Sequence, residues 1–290
     1  MAKKEKEENA VVEKKDNLPV QLQDDFEQYA SEHDVRDIES DEVITPRIAV
    51  LQGASPQVKK SNAEYIAGAE EGHIYNTGTK KVYDGAKGIV IVPCYFHRVY
   101  NEWVPKDSGG GLVRRWGKDE SFKEIDSGYH EEKGKWQSFE VDDKGNKKLK
   151  TEIIKTADYY VILIDEETGA LAPAVIGFSG TKYKVHRKLE NDISLEDHAR
   201  KDGTGFFQPP CFARAYRLTT IPESNSDNSW FNYRWERLTG DIIKSPIEQI
   251  KNLASLVESA KQFRKMVIEG TAKVADDIQD VGPTNDAETI

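Results

Sequence analysis

The run GIVIVPCYFHRVYNEWV, from Gly88 to Val104, constrains the fold more than any other part of this chain. Its β-branched and aromatic residues form strands readily, and it contains Pro93, which cannot donate to a ladder. The stretch predicts a strand long enough to bend or break near that proline. A second β-dense segment, ADYYVILIDEETGALAPAVIGF, carries turn residues from Glu166 to Gly169 and reads as a hairpin. Another hairpin turn falls at DDKGNKK, inside the highly charged stretch 117–150. FFQPPCFARAYRLTTI, entered through two prolines, and SWFNYRWERL, reached through the polar turn PESNSDN, should pair antiparallel.

Helical signals are fewer. SGTKYKVHRKLEN starts with Ser179 as a cap and spaces Val185 and Leu189 four apart, which predicts a short helix with a basic outer face. Ser245, Pro246 and Glu248 form a capping box; Ile247, Ile250, Ala254 and Val257 make a stripe; and Gly270 stops the helix, placing it at about 245–269. Helices do not alternate with strands in the βαβ manner. The expected class is therefore mainly β (α+β), a small antiparallel barrel or half-open sheet with an inserted helix and a C-terminal helix.

Charge sets the domain limits. The formal net charge of −10 is 0 over residues 1–16, −8 over 17–43 and −5 over 276–290, leaving about +3 for 44–275. Residues 1–43 are charged and poor in aromatics, so burial there scarcely offsets chain entropy, and a flexible charged N-terminal arm is expected. One domain is expected over 44–270, followed by an acidic flexible tail over 271–290. The N-terminal residues alternate Lys with Glu and lack the apolar core of a secretory signal. The longest apolar runs fall well short of the roughly 20 residues that span a bilayer, so no membrane partner is expected.

Enzymatic motifs are missing. SGTK at 179–182 lacks the upstream glycine of a phosphate-binding loop, and the glycines at 109–111 do not fit a dinucleotide fingerprint. The six histidines show no metal-ligand spacing, and Cys94 and Cys211 form no CxxC pair. The expectation is a non-enzyme with no cofactor and no metal, its thiols buried in a reducing cytoplasm.

The stronger signal is an arginine set between two aromatics, twice. FHRVY and FARAY place Phe96, Arg98 and Tyr100, and Phe212, Arg214 and Tyr216, on single faces of their strands if the alternation is regular. An unpaired arginine loses several kcal/mol in a dry core, so these faces are expected to be wet, with Val90, Val92 and Cys94 leading into the first. Cys211, Ala213 and Ala215, small and apolar, would meet a helix behind the second. On SWFNYRWERL, Trp230 and Arg234 share a face with Asn232, while Phe231, Tyr233 and Trp235 read as core. Rings beside guanidinium groups on an open sheet form a platform for unpaired bases and their phosphates. In the plainer reading the rings fill a second core and each arginine lies over a ring at its rim. Lys182, Lys184, Arg187 and Lys188 form a basic stretch that is either a further phosphate contact or a solvated helix face; Lys59, Lys60, Arg114 and Arg115 are weaker candidates.

TPRIAVLQGASPQVKK, GIVIVPCYFHRVYNEWVP, GFSGTKYKVHRKL and PPCFARAYRLTT with SWFNYRWERL, in this order over about residues 44–240, resemble a family of bacteriophage single-stranded DNA-binding proteins. The resemblance implies an OB-fold-like barrel and action in the host cytoplasm during DNA replication and recombination. It also implies that the tail acids Asp276, Asp277, Asp280, Asp286 and Glu288 contact replication or recombination proteins. The resulting expectation is a sequence-tolerant coat on single-stranded DNA, compatible with a homo-oligomer. Two rivals stay open: a virion or assembly protein whose aromatic strands form a subunit interface, and an acidic regulator that mimics DNA to occupy a host defence protein.

Overall fold

The computed structural model describes residues 44–105, 108–117, 130–132, 135–238 and 253–274. Its strands are β1 (Ile44–Thr45), β2 (Arg47–Val50), β3 (Ile74–Asn76), β4 (Val82–Tyr83), β5 (Ile89–Trp103), β6 (Leu112–Gly117), β7 (His130–Glu132), β8 (Lys135–Val141), β9 (Lys147–Ile164) and β10 (Leu171–Ser179). After helix α1 (Tyr183–Ser194) come β11 (His198–Ala199), β12 (Phe206–Phe207), β13 (Ala215–Ser224) and β14 (Ser229–Leu238). Helix α2 (Leu253–Ile268) and β15 (Lys273–Val274) follow. The protein is mainly β with two α-helices among the described residues.

β5 and β9 are the spine. They pair antiparallel from Val90↔Ile164 to Trp103↔Glu152, far longer than an ordinary strand pair. One half of this ribbon sits in the order β14-β13-β5-β9-β10-β2-β3-β4; the other half carries β6 on β5 and β8, then β7, on β9. Three hairpins follow the expected turns. At the β9–β10 turn Asp165 Oδ1 accepts from the Glu167 and Thr168 amides, and Gly169 takes φ +76°. Gly145 takes φ +80° at the β8–β9 turn, and β13 pairs with β14 from Ala215↔Leu238 to Ser224↔Ser229.

The barrel expectation is corrected in two respects. β2 joins β10 in parallel, so the sheet is mixed, and among the described residues it ends at β14 and β4 without a closing ladder. The sheet nonetheless curls. Four strands separate β14 from β2, yet the Tyr233 hydroxyl donates to the Ile48 carbonyl at 3.2 Å. The Gln52 side chain donates to the Phe231 carbonyl and accepts from its amide, at 2.8 and 2.9 Å. Side chains thus join β14 to the β2 region along a seam where a barrel would place a backbone ladder. At the same seam Thr220 N donates to the Gly85 carbonyl, and a Cβ on Gly85 would fall 1.9 Å from the Gly72 carbonyl oxygen, so only glycine fits there.

Two cores result. Inside the curl, Ile91, Tyr159, Val161, Phe178, Tyr216, Leu218 and Tyr233 pack with Val185, Leu189 and Ile193 of α1. Outside it, Val90, Val92, Cys94, Tyr160, Ile162 and Ala215 pack with Leu256, Ala260 and Phe263 of α2. Val185 and Leu189 are buried as expected, but Ser179 makes no side-chain cap bond; a 3-10 turn over Gly180–Lys182 leads into α1 instead. On α2 the buried stripe is Leu256, Ala260 and Phe263 rather than the expected one, and Ala254 is exposed, because the outer sheet face selects which side of the helix it covers. Gly270 follows the helix at φ +74°, as expected of a stop. Ser245, Pro246, Ile247, Glu248 and Ile250, the arm over 1–43 and the tail acids lie outside the described residues. No described helix is long and apolar enough to cross a membrane.

Candidate functional site

Pro93 governs the geometry of the first aromatic–arginine stretch. The ladder passes from Pro93↔Val161 to Tyr95↔Tyr160, leaving Cys94 as an extra residue. One inserted residue inverts the alternation beyond it. Val90, Val92 and Cys94 therefore face α2, whereas Phe96 joins the inner core. This corrects the expectation that these residues share one face with Arg98 and Tyr100; the bulge moves Phe96, Arg98 and Tyr100 to the inside of the curl.

There they meet a basic cluster. Arg98 lies opposite Ala157 and Tyr100 opposite Lys155. Tyr183, at the start of α1, has Lys155 Nζ 5.1 Å and Arg187 Cζ 5.5 Å from its ring centroid. The His186 ring stacks on Phe96 at 4.8 Å and 24°, and meets Tyr183 edge-on at 4.8 Å. The Tyr159 hydroxyl donates to Glu190 Oε2 at 2.9 Å and, its one proton spent, accepts from His186 Nδ1 at 2.8 Å. Burial pushes the His186 pKa down to about 4; Glu190 opposes that shift, while Arg98, Lys155 and Arg187 add to it. Burial first, and the three cations after it, thus keep the imidazole neutral at pH 7. Arg98 and Arg187 themselves are exposed.

The same face continues along the ribbon. Tyr100 pairs with Trp116 across β5–β6, Trp136 with Ile153 across β8–β9, and these four side chains pack together. Trp116 Nε1 donates to Glu102 at 3.1 Å, and exposed Arg114 lies 4.6 Å over the Trp116 ring. A surface of rings interleaved with Arg98, Arg114, Lys155 and Arg187 runs from α1 outward.

The second aromatic–arginine stretch is built otherwise. Pro209 and Pro210 hold the chain extended, Cys211–Ala213 form a 3-10 turn, and the strand starts only at Ala215. Phe212 packs on the α2 side while Tyr216 enters the inner core, so the two do not share a face. Nor is the face wet. Arg214 is 0 % exposed; its Nε donates to Glu196 at 3.1 Å, and Nη1 and Nη2 have no partner among the described residues. Arg237 Nη1 shares that carboxylate, and the Tyr216 hydroxyl donates to Asp192. The expected wetness failed because a carboxylate just after α1 supplies the charge that water would have. Ala215 does face the helix behind it, as expected.

The other candidates scatter. Lys182 is buried, 5.5 Å from the Tyr233 ring centroid, and Lys184 pairs with Glu223 at 3.1 Å. Glu223 also accepts from Trp230 Nε1 and from the buried Asn232. These contacts correct the basic outer face at Lys182 and Lys184. Lys188 and Arg234 are exposed, Arg234 on the side away from the inner core. Tyr233 is core, with Phe231 and Trp235 packed against it, as expected. Cys94 and Cys211 meet, Cys211 Sγ donating to the Cys94 carbonyl at 3.0 Å, and burial pushes both thiols up. Sequence reasoning missed Lys155, Tyr183, His186 and Trp116. The Tyr183–Arg187 spacing of four was legible; the Tyr100↔Lys155 register was not. No described group of His, Cys, Asp and Glu is placed to hold a metal ion.

Over residues 13–273 the chain matches the family described as Pam3 phage gp34-like protein. No curated protein and no solved structure matches it.

Proposed function

We propose that this chain, which belongs to the Pam3 phage gp34-like family and is thus a bacteriophage protein, binds single-stranded DNA along the inner face of the β5–β9 ribbon. The observation that carries the reading is the convergence of Arg98, Lys155 and Arg187 around Tyr183 and His186, with Tyr100 next on the same face. Cations beside rings suit a polymer of bases and phosphates: each ring offers a stacking surface without a sequence code, and each cation meets a phosphate. A neutral His186 leaves the three charges for the ligand. Arg214 and Tyr216 have no part in this mechanism, since the arginine is engaged internally and the tyrosine is buried in the inner core. An OB-like role fits a curled sheet with an open edge, and coating of replication or recombination intermediates in the host cytoplasm, with partners reached through the acidic tail, follows from it. The reading needs no catalytic group.

Fluorescence titration with oligo(dT) tests the proposal. Single strands should bind more tightly than a duplex of equal length, and affinity should fall with salt at about 0.7 log units per phosphate contact and log unit of salt. Equal affinity for duplex and single strand overturns it. A virion or assembly role draws on a different observation, Phe206 at 70 % exposure beside Phe207 at 40 %. Stoichiometric copies in purified particles, without oligonucleotide binding, would favour that role.

A further inference from the structure

Phe96 borders a second feature. A cleft of about 750 Å³ opens between the Pro93 bulge, the C-terminal end of α1, the 208–212 segment and α2. Tyr95, Phe96, Phe212, Ile193 and Pro209 contribute an apolar lining, and α2 supplies Lys261, Arg264 and Lys265. These cations stand three and four positions apart, on one side of the helix. Lys261 is exposed and pairs with no described residue; among the described residues Lys265 reaches only Glu269, itself in the lining, at 3.9 Å. Arg264 donates to the Cys94 carbonyl at 3.3 Å and lies 5.3 Å over the Tyr95 ring, holding that ring in the wall. Of the lining carboxylates, Glu190 is engaged by the Tyr159 and Ser194 hydroxyls, both at 2.9 Å. The cleft therefore presents rings on one side and available positive charge on the other.

We propose that the cleft receives one nucleotide of the bound strand, its base among Tyr95, Phe96 and Phe212 and its phosphate toward Lys261, Arg264 and Lys265. The inference rests on the DNA reading above and adds a pocket to its open surface. Volume, lining and charge agree: pockets for small ligands run roughly 300–1,000 Å³, are mostly apolar, and fix the ligand with a few polar groups. Phe96, shared by the cleft and the basic cluster through His186, makes the path continuous. An acidic peptide would meet the lysines but leave the rings without a flat partner. Phe212 thus returns as a contact, on the opposite side of the sheet from Tyr216.

The test is photo-cross-linking of the full chain to oligo(dT) carrying single 5-iododeoxyuridines, with a salt titration of the Lys261→Ala, Lys265→Ala double variant. Both lysines are exposed on α2, so the fold is retained. Cross-links should map to Tyr95 or Phe212, and the double variant should lose about 1.4 from its salt slope, two phosphates at roughly 0.7 each. Normal binding with cross-links confined to Tyr100 and Tyr183 and an unchanged slope overturns the cleft and spares the open face. No oligonucleotide binding by the full chain removes both. A peptide with the sequence of residues 275–290, bound in a manner that Lys261→Ala, Lys265→Ala abolishes while oligo(dT) binding stays intact, assigns the cleft to a peptide and overturns the nucleotide site.

Discussion

Arg214 lies fully buried with its Nε 3.1 Å from Glu196 Oε2, an ion pair that fastens the start of β13 to the segment just after α1. Arg237 joins the same carboxylate from β14, so one glutamate ties both strands of the hairpin to the helix end. Arg214→Ala should lower the unfolding free energy by about 3 kcal/mol, the low end for breaking a buried pair, because Arg237 still holds Glu196. Arg214→Met should cost less, since it refills the volume and removes two unpartnered Nη groups. Urea denaturation measures both. Oligo(dT) affinity of the folded variants should stay at the wild-type value; a large loss would return Arg214 to the DNA surface.

Acid should destabilise the protein in two windows. The His186 pKa falls from 6.5 to about 4 on folding, chiefly through burial. Between those values the unfolded chain binds the extra proton, so stability drops as pH falls from about 6.5 to about 4. Glu196 falls from 4.5 to about 2, with Arg237 the largest cause, then His198 and Arg214. Its contribution is present above pH 4.5 and is lost as pH falls toward 2. Urea midpoints across pH 3 to 8 should slope through the upper window in the wild type and flatten there in His186→Gln. An unchanged slope would place the titration elsewhere.

On the proposed DNA face, Arg98→Ala and Lys155→Ala should each weaken oligo(dT) binding and reduce the salt slope by about 0.7. Arg98 is exposed, so its variant should keep the wild-type melting temperature. Tyr183→Leu should cost roughly 1 to 3 kcal/mol of binding if a base stacks there. Arg234→Ala, on the other side of its strand, is the control and should bind normally; equal losses in all four would point to a diffuse charge effect.

Gly85→Ala should destabilise by about 1 to 3 kcal/mol, since its methyl group would overlap the Gly72 carbonyl oxygen and Thr220 Oγ1. Gly109→Ala controls for general glycine effects: a new Cβ there meets nothing within 4 Å, although its φ of +108° adds strain. Thermal melts that rank Gly109→Ala as the more damaging would contradict the close approach of Gly85 to Gly72.

Much of this molecule could be read along the chain. The long strand from Gly88, the turns at Glu166–Gly169 and DDKGNKK, the pairing of the last two strands and the burial of Val185 and Leu189 follow from local rules of alternation, turn chemistry and helical spacing. Local rules also placed Ala215 against a helix. They failed where one residue changed the count: Cys94, inserted after Pro93, inverted the faces beyond it, and the 3-10 turn after Pro210 separated Phe212 from Tyr216.

The amino-acid sequence alone determined that this is a β protein with acidic ends, a near-neutral body and arginines placed between rings. Which of those arginines meets water was decided only by tertiary structure. Arg98 and Arg214 each lie midway between a Phe and a Tyr in sequence, but Glu196 arrives at the second from across the fold while Lys155 and Arg187 gather near the first. Solvation and charge pairing depend on what lies within a few ångströms, and that distance is set by register and packing between segments far apart in the chain.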